Sequence, residues 1–299
     1  MQKFSTTDAA FAGFRMVREH PRTVAVWGTV LMVLSAVTTI ILIAVGGAEL
    51  QTFFDFDPSS APDAEKMAEQ MLKVLPILML SGAFNLATSA ILLTGVYRMV
   101  LRPTDPAPYY LRLGADEFRQ FCAQLLYTLA VIGVYIGSAM LVGAVVTILQ
   151  KILGDNPLLG LIALLGLVGI FGVTIYAAVR LSFAGVATFV GGRITLRGSL
   201  PITKGRFWPL LVTYLLAFVL FVVVYMAILL LGTAVAMIIG GFAGAGEVLK
   251  SDISSLQAFL TPVGVVRLVL VGALSVLAAL VMFAPAPAIY RELKGEGLG

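Results

Sequence analysis

Six long stretches of the sequence contain no aspartate, glutamate, lysine or arginine, and each holds at least 23 residues. A charged side chain at mid-bilayer costs about 2.5 to 3.5 kcal/mol on insertion scales. About 20 helical residues suffice to cross the roughly 30 Å hydrocarbon layer of a bilayer. We therefore predict membrane spans at about 24–46, 74–98, 121–149, 158–180, 207–239 and 264–288.

The composition also indicates that most of this chain is surrounded by lipid. Hydrophobic residues make up 60% of the 299 and charged residues only 12%, and the mean hydropathy is +1.01. The apolar stretches are continuous, whereas a lipid-facing barrel strand of about ten residues would alternate apolar with polar. The predicted fold is therefore all-α, a polytopic bundle of six transmembrane helices forming one transmembrane domain over residues 1–299.

Lysine and arginine are distributed unevenly between the two ends of the predicted spans. If the amino terminus lies on the inner side, fifteen of the 20 also lie there. The outer five are Lys66, Lys73, Lys151, Lys250 and Arg267. Membrane insertion leaves the excess of positive charge on the cytoplasmic side. We therefore predict a multi-pass protein of the bacterial inner membrane with both termini in the cytoplasm.

Three inner-side segments combine basic with aromatic residues, and each precedes an odd-numbered span. They are AAFAGFRMVREHPRT (9–23), YYLRLGADEFRQFCAQLL (109–126) and LRGSLPITKGRFWPLLVTYLL (196–216). They are compatible with three helical-hairpin repeats, each introduced by a short interfacial helix. The alternative is that any entry into a membrane from the inner side needs basic and aromatic anchors.

Two outer-side links and a set of glycines predict further details of the fold. The short link 151–156 predicts that spans three and four form an antiparallel pair. Apolar residues recur at helical spacing in AEKMAEQMLKVL (64–75), which predicts an amphipathic helix on the membrane surface or an extension of span two. We expect spans three and four to pack closely through their glycines. These are Gly133, Gly137, Gly166, Gly169 and Gly172.

Two motifs in the last third of the chain resemble a known family. SLPITKGRFWPL (199–210) and PAPAIYREL (285–293) resemble the membrane domain associated with glycerophosphoryl diester phosphodiesterases, and also related bacterial six-span proteins. The resemblance implies a six-span architecture and an association with lipid or glycerophosphodiester metabolism. In such phosphodiesterases a separate soluble barrel with histidines and carboxylates carries the chemistry, so no catalytic role transfers to this chain.

The sequence offers few residues for catalysis or metal binding. It has one histidine, His20, and one cysteine, Cys122, and neither a GxxxxGK[ST] loop nor an HExxH helix. No carboxylate lies inside the predicted spans, which argues against an ion-coupled site at the bilayer centre. We therefore expect no catalytic residue, no metal and no cofactor. The net charge of +4 does not indicate a nucleic-acid partner, because the basic residues flank the spans.

Two sets of residues are candidates for ligand contacts. The first is an inner loop whose cations could bind anionic lipid headgroups, namely Arg180, Arg193, Arg197, Lys204 and Arg206. The alternative for this loop is that its charges only determine topology. The second set, Asn85, Thr88 and Ser89, could line a polar cavity at the middle of span two. The alternative there is hydrogen bonding between helices.

We predict a non-catalytic integral membrane protein that binds or organises lipids or supports a membrane assembly. Its expected partners are membrane lipids, and a homo-oligomer is compatible with the sequence. The alternative function is transport of a small or lipid-like solute along a path near Asn85.

Overall fold

The computed structural model describes residues 4–54, 64–104, 108–154, 156–249 and 252–295. Within these ranges every regular element is helical, and six helices are long and apolar enough to cross a membrane. The prediction of an all-α bundle with six spans is confirmed.

The described part of the chain contains six long helices and six shorter ones. In chain order the helices are α1 (Thr6–Ala10), α2 (Ala12–Glu19), α3 (Pro21–Phe54), α4 (Ala64–Leu101), α5 (Ala115–Leu153), α6 (Leu158–Leu181), α7 (Ala184–Gly191), α8 (Ser199–Thr203), α9 (Phe207–Leu249), α10 (Leu256–Phe259), α11 (Pro262–Phe283) and α12 (Pro285–Lys294). A 3₁₀ turn at Pro108–Tyr110 precedes α5. The long helices are α3, α4, α5, α6, α9 and α11.

The six long helices pack as three sequential hairpins, α3 with α4, α5 with α6, and α9 with α11. Helix α4 also packs on α5, and α11 packs on α3, which joins the hairpins into one bundle. The antiparallel pairing of spans three and four is therefore confirmed. We name as the terminal face the end of the bundle at which α1, α2, α7, α8 and α12 lie.

In the part of the chain that the structure describes, only two of the three expected short entry helices are present. Helix α2 precedes α3, and α8 precedes α9. Before α5 the chain forms only the 3₁₀ turn and then enters the long helix at Ala115. The expectation of a short interfacial helix in all three units is therefore wrong for the second. Its two acidic residues, Asp116 and Glu117, lie in the first turn of α5, where carboxylates favour helix formation. The charged segment thus belongs to the spanning helix itself.

Most fully buried side chains lie at the terminal face. Trp27, Phe183, Leu280 and Ile289 are completely or almost completely inaccessible and belong to one hydrophobic core. Helix α2 packs against α11 so tightly that a Cβ atom on Gly13 would lie 2.7 Å from the backbone carbonyl of Leu280. Because close packing resists relative motion of its elements, this core joins the terminal ends of the helices.

The outer segment extends span two instead of lying separately on the surface. Helix α4 begins at Ala64 and continues through Pro76 to Leu101. Met71 and Leu72 are exposed near its start, and Lys73 forms an ion pair of 2.8 Å with Glu69. Residues 55–63, between α3 and α4, lie outside the described residues.

Large apolar side chains cover the outside of the spanning helices. Met140 of α5 is 71% exposed, and Ile238 and Phe242 of α9 are 84% and 87% exposed. Soluble monomers rarely expose contiguous apolar patches larger than a few hundred Å². An apolar belt around the bundle is the surface that a bilayer requires.

The glycines of α5 and α6 do not act as expected. A Cβ atom added at Gly133 or Gly137 would have no neighbour within 4 Å, and the same holds for Gly169 and Gly172. Gly166 alone of the five would meet a neighbour, the Val142 side chain. The expected close packing through the GxxxG pair is therefore wrong. The pattern identifies small residues on a helix, but it does not specify which face meets the partner.

Candidate functional site

A cavity of about 580 Å³ lies between α3, α4 and α11. Its lining comes from residues 31–42 of α3, 81–92 of α4 and 271–283 of α11, so it faces the middle of α3 and of the apolar part of α4. Eight of the lining residues carry a hydroxyl or amide group, namely Ser35, Thr38, Thr39, Ser81, Asn85, Thr88, Ser89 and Ser275. The remaining lining residues are apolar.

Helical spacing places these polar side chains on one face of each helix. On α4, Ser81, Asn85, Thr88 and Ser89 stand at intervals of four, three and one residues. Residues three or four apart share a helix face. On α3, the same spacing of three or four residues recurs in Ser35, Thr38 and Thr39, which line the same cavity as the polar residues of α4. The sequence therefore builds two polar helix faces that point into one space.

Most of these polar groups have no hydrogen-bond partner within the described ranges of the chain. Thr39 donates its hydroxyl to the Ser35 carbonyl at 2.9 Å. Among the residues that the structure describes, the other seven side chains make no hydrogen bond. Elsewhere Thr94 and Thr174 donate to the carbonyl four residues earlier, at 2.6 and 2.8 Å. The cavity hydroxyls are thus available to an occupant.

The cavity is closed towards the terminal face. Leu31, Leu92 and Ala279 line it, and all three are also buried members of the hydrophobic core described above. Asn85 and its neighbour Phe84 are exposed, so the space is accessible from the side of α4. The cavity is a recess with one packed end in the part of the chain that the structure describes.

The structure brings the three residues predicted from span two together in this cavity. Asn85, Thr88 and Ser89 all line it. Sequence reasoning missed Ser35, Thr38, Thr39, Ser81 and Ser275. The three missed residues of α3 carried a readable signal, because serine and threonine recur there at helical spacing at the same depth of the first span.

The predicted basic set divides into two groups. The Arg180 guanidinium donates to the Thr203 hydroxyl at 2.9 Å, and the Arg180 carbonyl accepts a hydrogen bond of 2.7 Å from Ser199. Arg206 donates to the Ile202 carbonyl at 3.0 Å. These two arginines therefore hold α6, α8 and the start of α9 in place. The exposed members are Arg193, Arg197 and Lys204, and these three are free to face lipid headgroups.

A buried ion cluster joins the end of α4 to the start of α5, and sequence reasoning treated its arginines only as topology signals. The Arg98 side chain is fully buried and pairs with Glu117, and its Nη2 atom lies 3.7 Å from an Asp116 oxygen. Three further arginines surround Asp116, namely Arg102, Arg112 and Arg119. The cluster fixes the first turn of α5 against the last turn of α4.

The backbone of the turn before α5 also contributes to the connection between α4 and α5. Tyr109 and Tyr110 adopt positive φ angles of 51° and 60°, which non-glycine residues rarely do. The Tyr110 carbonyl accepts a hydrogen bond of 3.1 Å from Arg98, and the Tyr109 carbonyl accepts one of 2.8 Å from the Trp27 indole. Strained backbone persists where surrounding contacts over-determine it. The turn between α4 and α5 is therefore held on both sides.

No family model, curated protein or solved structure matches this chain in comparisons with known proteins. The candidate site is therefore described from the structure alone. It is a recess lined by hydroxyl groups, and it ends at the packed, ion-paired terminal face.

Proposed function

We propose that this chain is a non-catalytic integral membrane protein that binds a lipid or lipid-like molecule in the cavity between α3, α4 and α11. One observation carries the proposal. Seven polar side chains face a space of about 580 Å³ at the depth of the spans without hydrogen-bond partners among the described residues. A donor or acceptor left unsatisfied in an apolar environment costs about 1–3 kcal/mol, so an occupant with polar groups stabilises this arrangement.

The apolar part of the lining supports an amphiphilic occupant. Leu34, Leu42, Phe84, Val271 and Met282 stand beside the hydroxyls. Ligand pockets are typically apolar with a few polar groups that fix orientation. A lipid satisfies both halves of this lining, with its head against the hydroxyls and its chains against the leucine and phenylalanine side chains. The resemblance to phosphodiesterase membrane domains agrees with a role in lipid handling.

The absence of catalysis is part of the proposal. The lining offers serine, threonine and asparagine, and none of its residues is a histidine, carboxylate, lysine or cysteine. A serine hydroxyl is a weak nucleophile without an adjacent base. These side chains can donate and accept hydrogen bonds, which suits binding.

A cavity-filling variant tests this function. We expect Asn85→Leu/Ser89→Leu to reduce lipid retained through mild detergent purification by about tenfold, because two hydrogen bonds of about 1 kcal/mol each are lost and the space is filled. Native mass spectrometry measures the retained lipid. The matched control is Ser138→Leu/Thr147→Leu on α5, whose hydroxyls bond to their own helix. Equal retention by wild type and both variants contradicts the proposal.

We also propose that the membrane is the bacterial inner membrane and that both termini are cytoplasmic. Support comes from the excess of lysine and arginine at the terminal face. In a Cys122→Ser background, a membrane-impermeant maleimide added to spheroplasts should label Gln257→Cys, an exposed position in α10. Lys204→Cys, exposed at the terminal face, should react only after permeabilisation. The reverse labelling pattern rules out this orientation.

Transport of a small or lipid-like solute is the second candidate function. The observation that favours it is the position of the polar cavity, because transporters place substrate sites near the bilayer midplane. The packed core at Leu31 and Leu92 closes the cavity on its terminal side. Transport therefore also requires this core to open. Transfer of a fluorescent lipid between leaflets of proteoliposomes separates the two functions, since a binding protein without transport activity leaves that rate at its protein-free value.

A further inference from the structure

The charge of the cavity lining restricts which lipid it accepts. None of the lining residues that the structure describes is charged, and residues 23–48 of α3, 74–97 of α4 and 268–283 of α11 contain no lysine, arginine, histidine, aspartate or glutamate. We infer that the occupant is an uncharged glycerolipid whose head presents hydroxyl and ester oxygens, of the diacylglycerol class. This inference rests on the proposed function and specifies its ligand.

A charged head is disfavoured at this depth. A phosphate or a quaternary ammonium group loses its hydration on entering the recess, and the described lining supplies no opposite charge. A buried ion without a partner is strongly unfavourable even after its surroundings relax. The arginines other than Arg267 lie at the terminal face, beyond the packed Leu31 and Leu92, and Arg267 near the start of α11 does not line the cavity. A phospholipid head therefore has no counter-charge inside the cavity.

The polar groups of the lining match a neutral head instead. A serine or threonine hydroxyl both donates and accepts hydrogen bonds, and the Asn85 amide supplies two donors and one acceptor atom. A glycerol hydroxyl needs both a donor and an acceptor, and ester carbonyls need donors. The seven unpartnered side chains supply this mixture without any ionised group.

The size and the opening of the cavity exclude two simpler occupants. A water molecule takes up about 30 Å³ in the liquid, so 580 Å³ greatly exceeds the space for a single bridging water. A water-soluble polyol would leave Leu34, Phe84 and Met282 without apolar contacts. A glycerolipid instead fills the polar part with its head, and its acyl chains pass the exposed Phe84 into the bilayer.

The test compares three lipids with identical chains. Purified protein is incubated in mixed micelles with radiolabelled dioleoylglycerol, dioleoylphosphatidylglycerol or dioleoylphosphatidylcholine, and bound label is counted after gel filtration. We expect about tenfold preference for dioleoylglycerol over both phospholipids. We expect Asn85→Leu/Ser89→Leu to lower the binding of dioleoylglycerol to the level of the two phospholipids and to leave phospholipid binding unchanged. The milder Asn85→Ala, which removes the amide with little change in fold, should reduce it severalfold.

The outcomes separate the two proposals. If a phospholipid binds as well as dioleoylglycerol, and the cavity variants release it, the proposed lipid binding stands and the neutral-head inference is overturned. If the cavity variants change the binding of none of the three lipids, the proposed function fails and the inference fails with it. Ser138→Leu/Thr147→Leu serves as the control for non-specific loss of lipid.

Discussion

Replacing Arg98 with methionine is expected to lower the free energy of unfolding by about 3–5 kcal/mol, the cost typical of breaking a buried ion pair by removing one partner. Methionine preserves most of the side-chain volume, so the loss comes from the charge. The variant leaves Glu117, which is also buried, without its cationic partner, and removes one of the arginines near Asp116. It also removes the hydrogen bond to the Tyr110 carbonyl.

Reversible unfolding by titration with sodium dodecyl sulfate, followed by Trp27 and Trp208 fluorescence, measures this effect. The matched control is Arg102→Met. Its side chain is 45% exposed and lies 3.6 Å from Asp116, so solvent screening limits its expected effect to about 1 kcal/mol or less. The double variant Arg98→Met/Glu117→Leu should be less destabilised than Arg98→Met alone, because it leaves no unpaired carboxylate at that position. Equal destabilisation by Arg98→Met and Arg102→Met contradicts a special role for the buried pair.

The number and type of spanning helices could be predicted because the bilayer imposes a strong local constraint. A run without charges and longer than about 20 residues must be a span in a chain of this composition. Helix ends were less accessible to prediction. Helical structure in α3 resumes after a kink at Gly46 and reaches Phe54, and α4 starts at Ala64, so both extend beyond the apolar runs. Polar residues also form helix once they leave the hydrocarbon layer.

The candidate site could be predicted only in part, because it depends on which helix faces meet. The sequence alone identified Asn85, Thr88 and Ser89, because they are polar residues inside one span. Their partners on α3 come from the preceding span, 50 residues earlier, whereas the partner on α11 depends on packing between elements far apart in the sequence, as Ser89 and Ser275, 186 residues apart, illustrate. The three-hairpin order does not specify that α11 returns to pack on α3.

The same limitation explains the missed ion cluster and the incorrect glycine prediction. Arg98 and Arg193 both count as inner-side cations in the sequence, yet one is fully buried and the other exposed. Gly133 and Gly166 have the same local chemistry, yet only Gly166 meets the neighbouring helix. Sequence spacing identifies a helix face, whereas the tertiary fold decides whether that face contacts protein or lipid.

A cross-linked lipid should mark the cavity lining at a small number of positions. The polar recess binds the head, so a diazirine placed near the glycerol end of an acyl chain is held beside residues such as Phe84, Leu42 and Met282. Lipids that merely surround the protein react instead wherever apolar side chains are exposed, including Met140 on α5. We expect severalfold enrichment of cross-links at the lining over α5, and loss of that enrichment in Asn85→Leu/Ser89→Leu.

The most direct measurement is therefore the mapping of these cross-links by peptide mass spectrometry, with diazirine analogues of both dioleoylglycerol and dioleoylphosphatidylglycerol in proteoliposomes. Lipid binding in the cavity predicts that at least one analogue labels the facing turns of α3, α4 and α11, and that excess unlabelled lipid of the same type competes it away. Labelling spread evenly over the lipid-facing helices with both analogues, with no competition, would contradict the account.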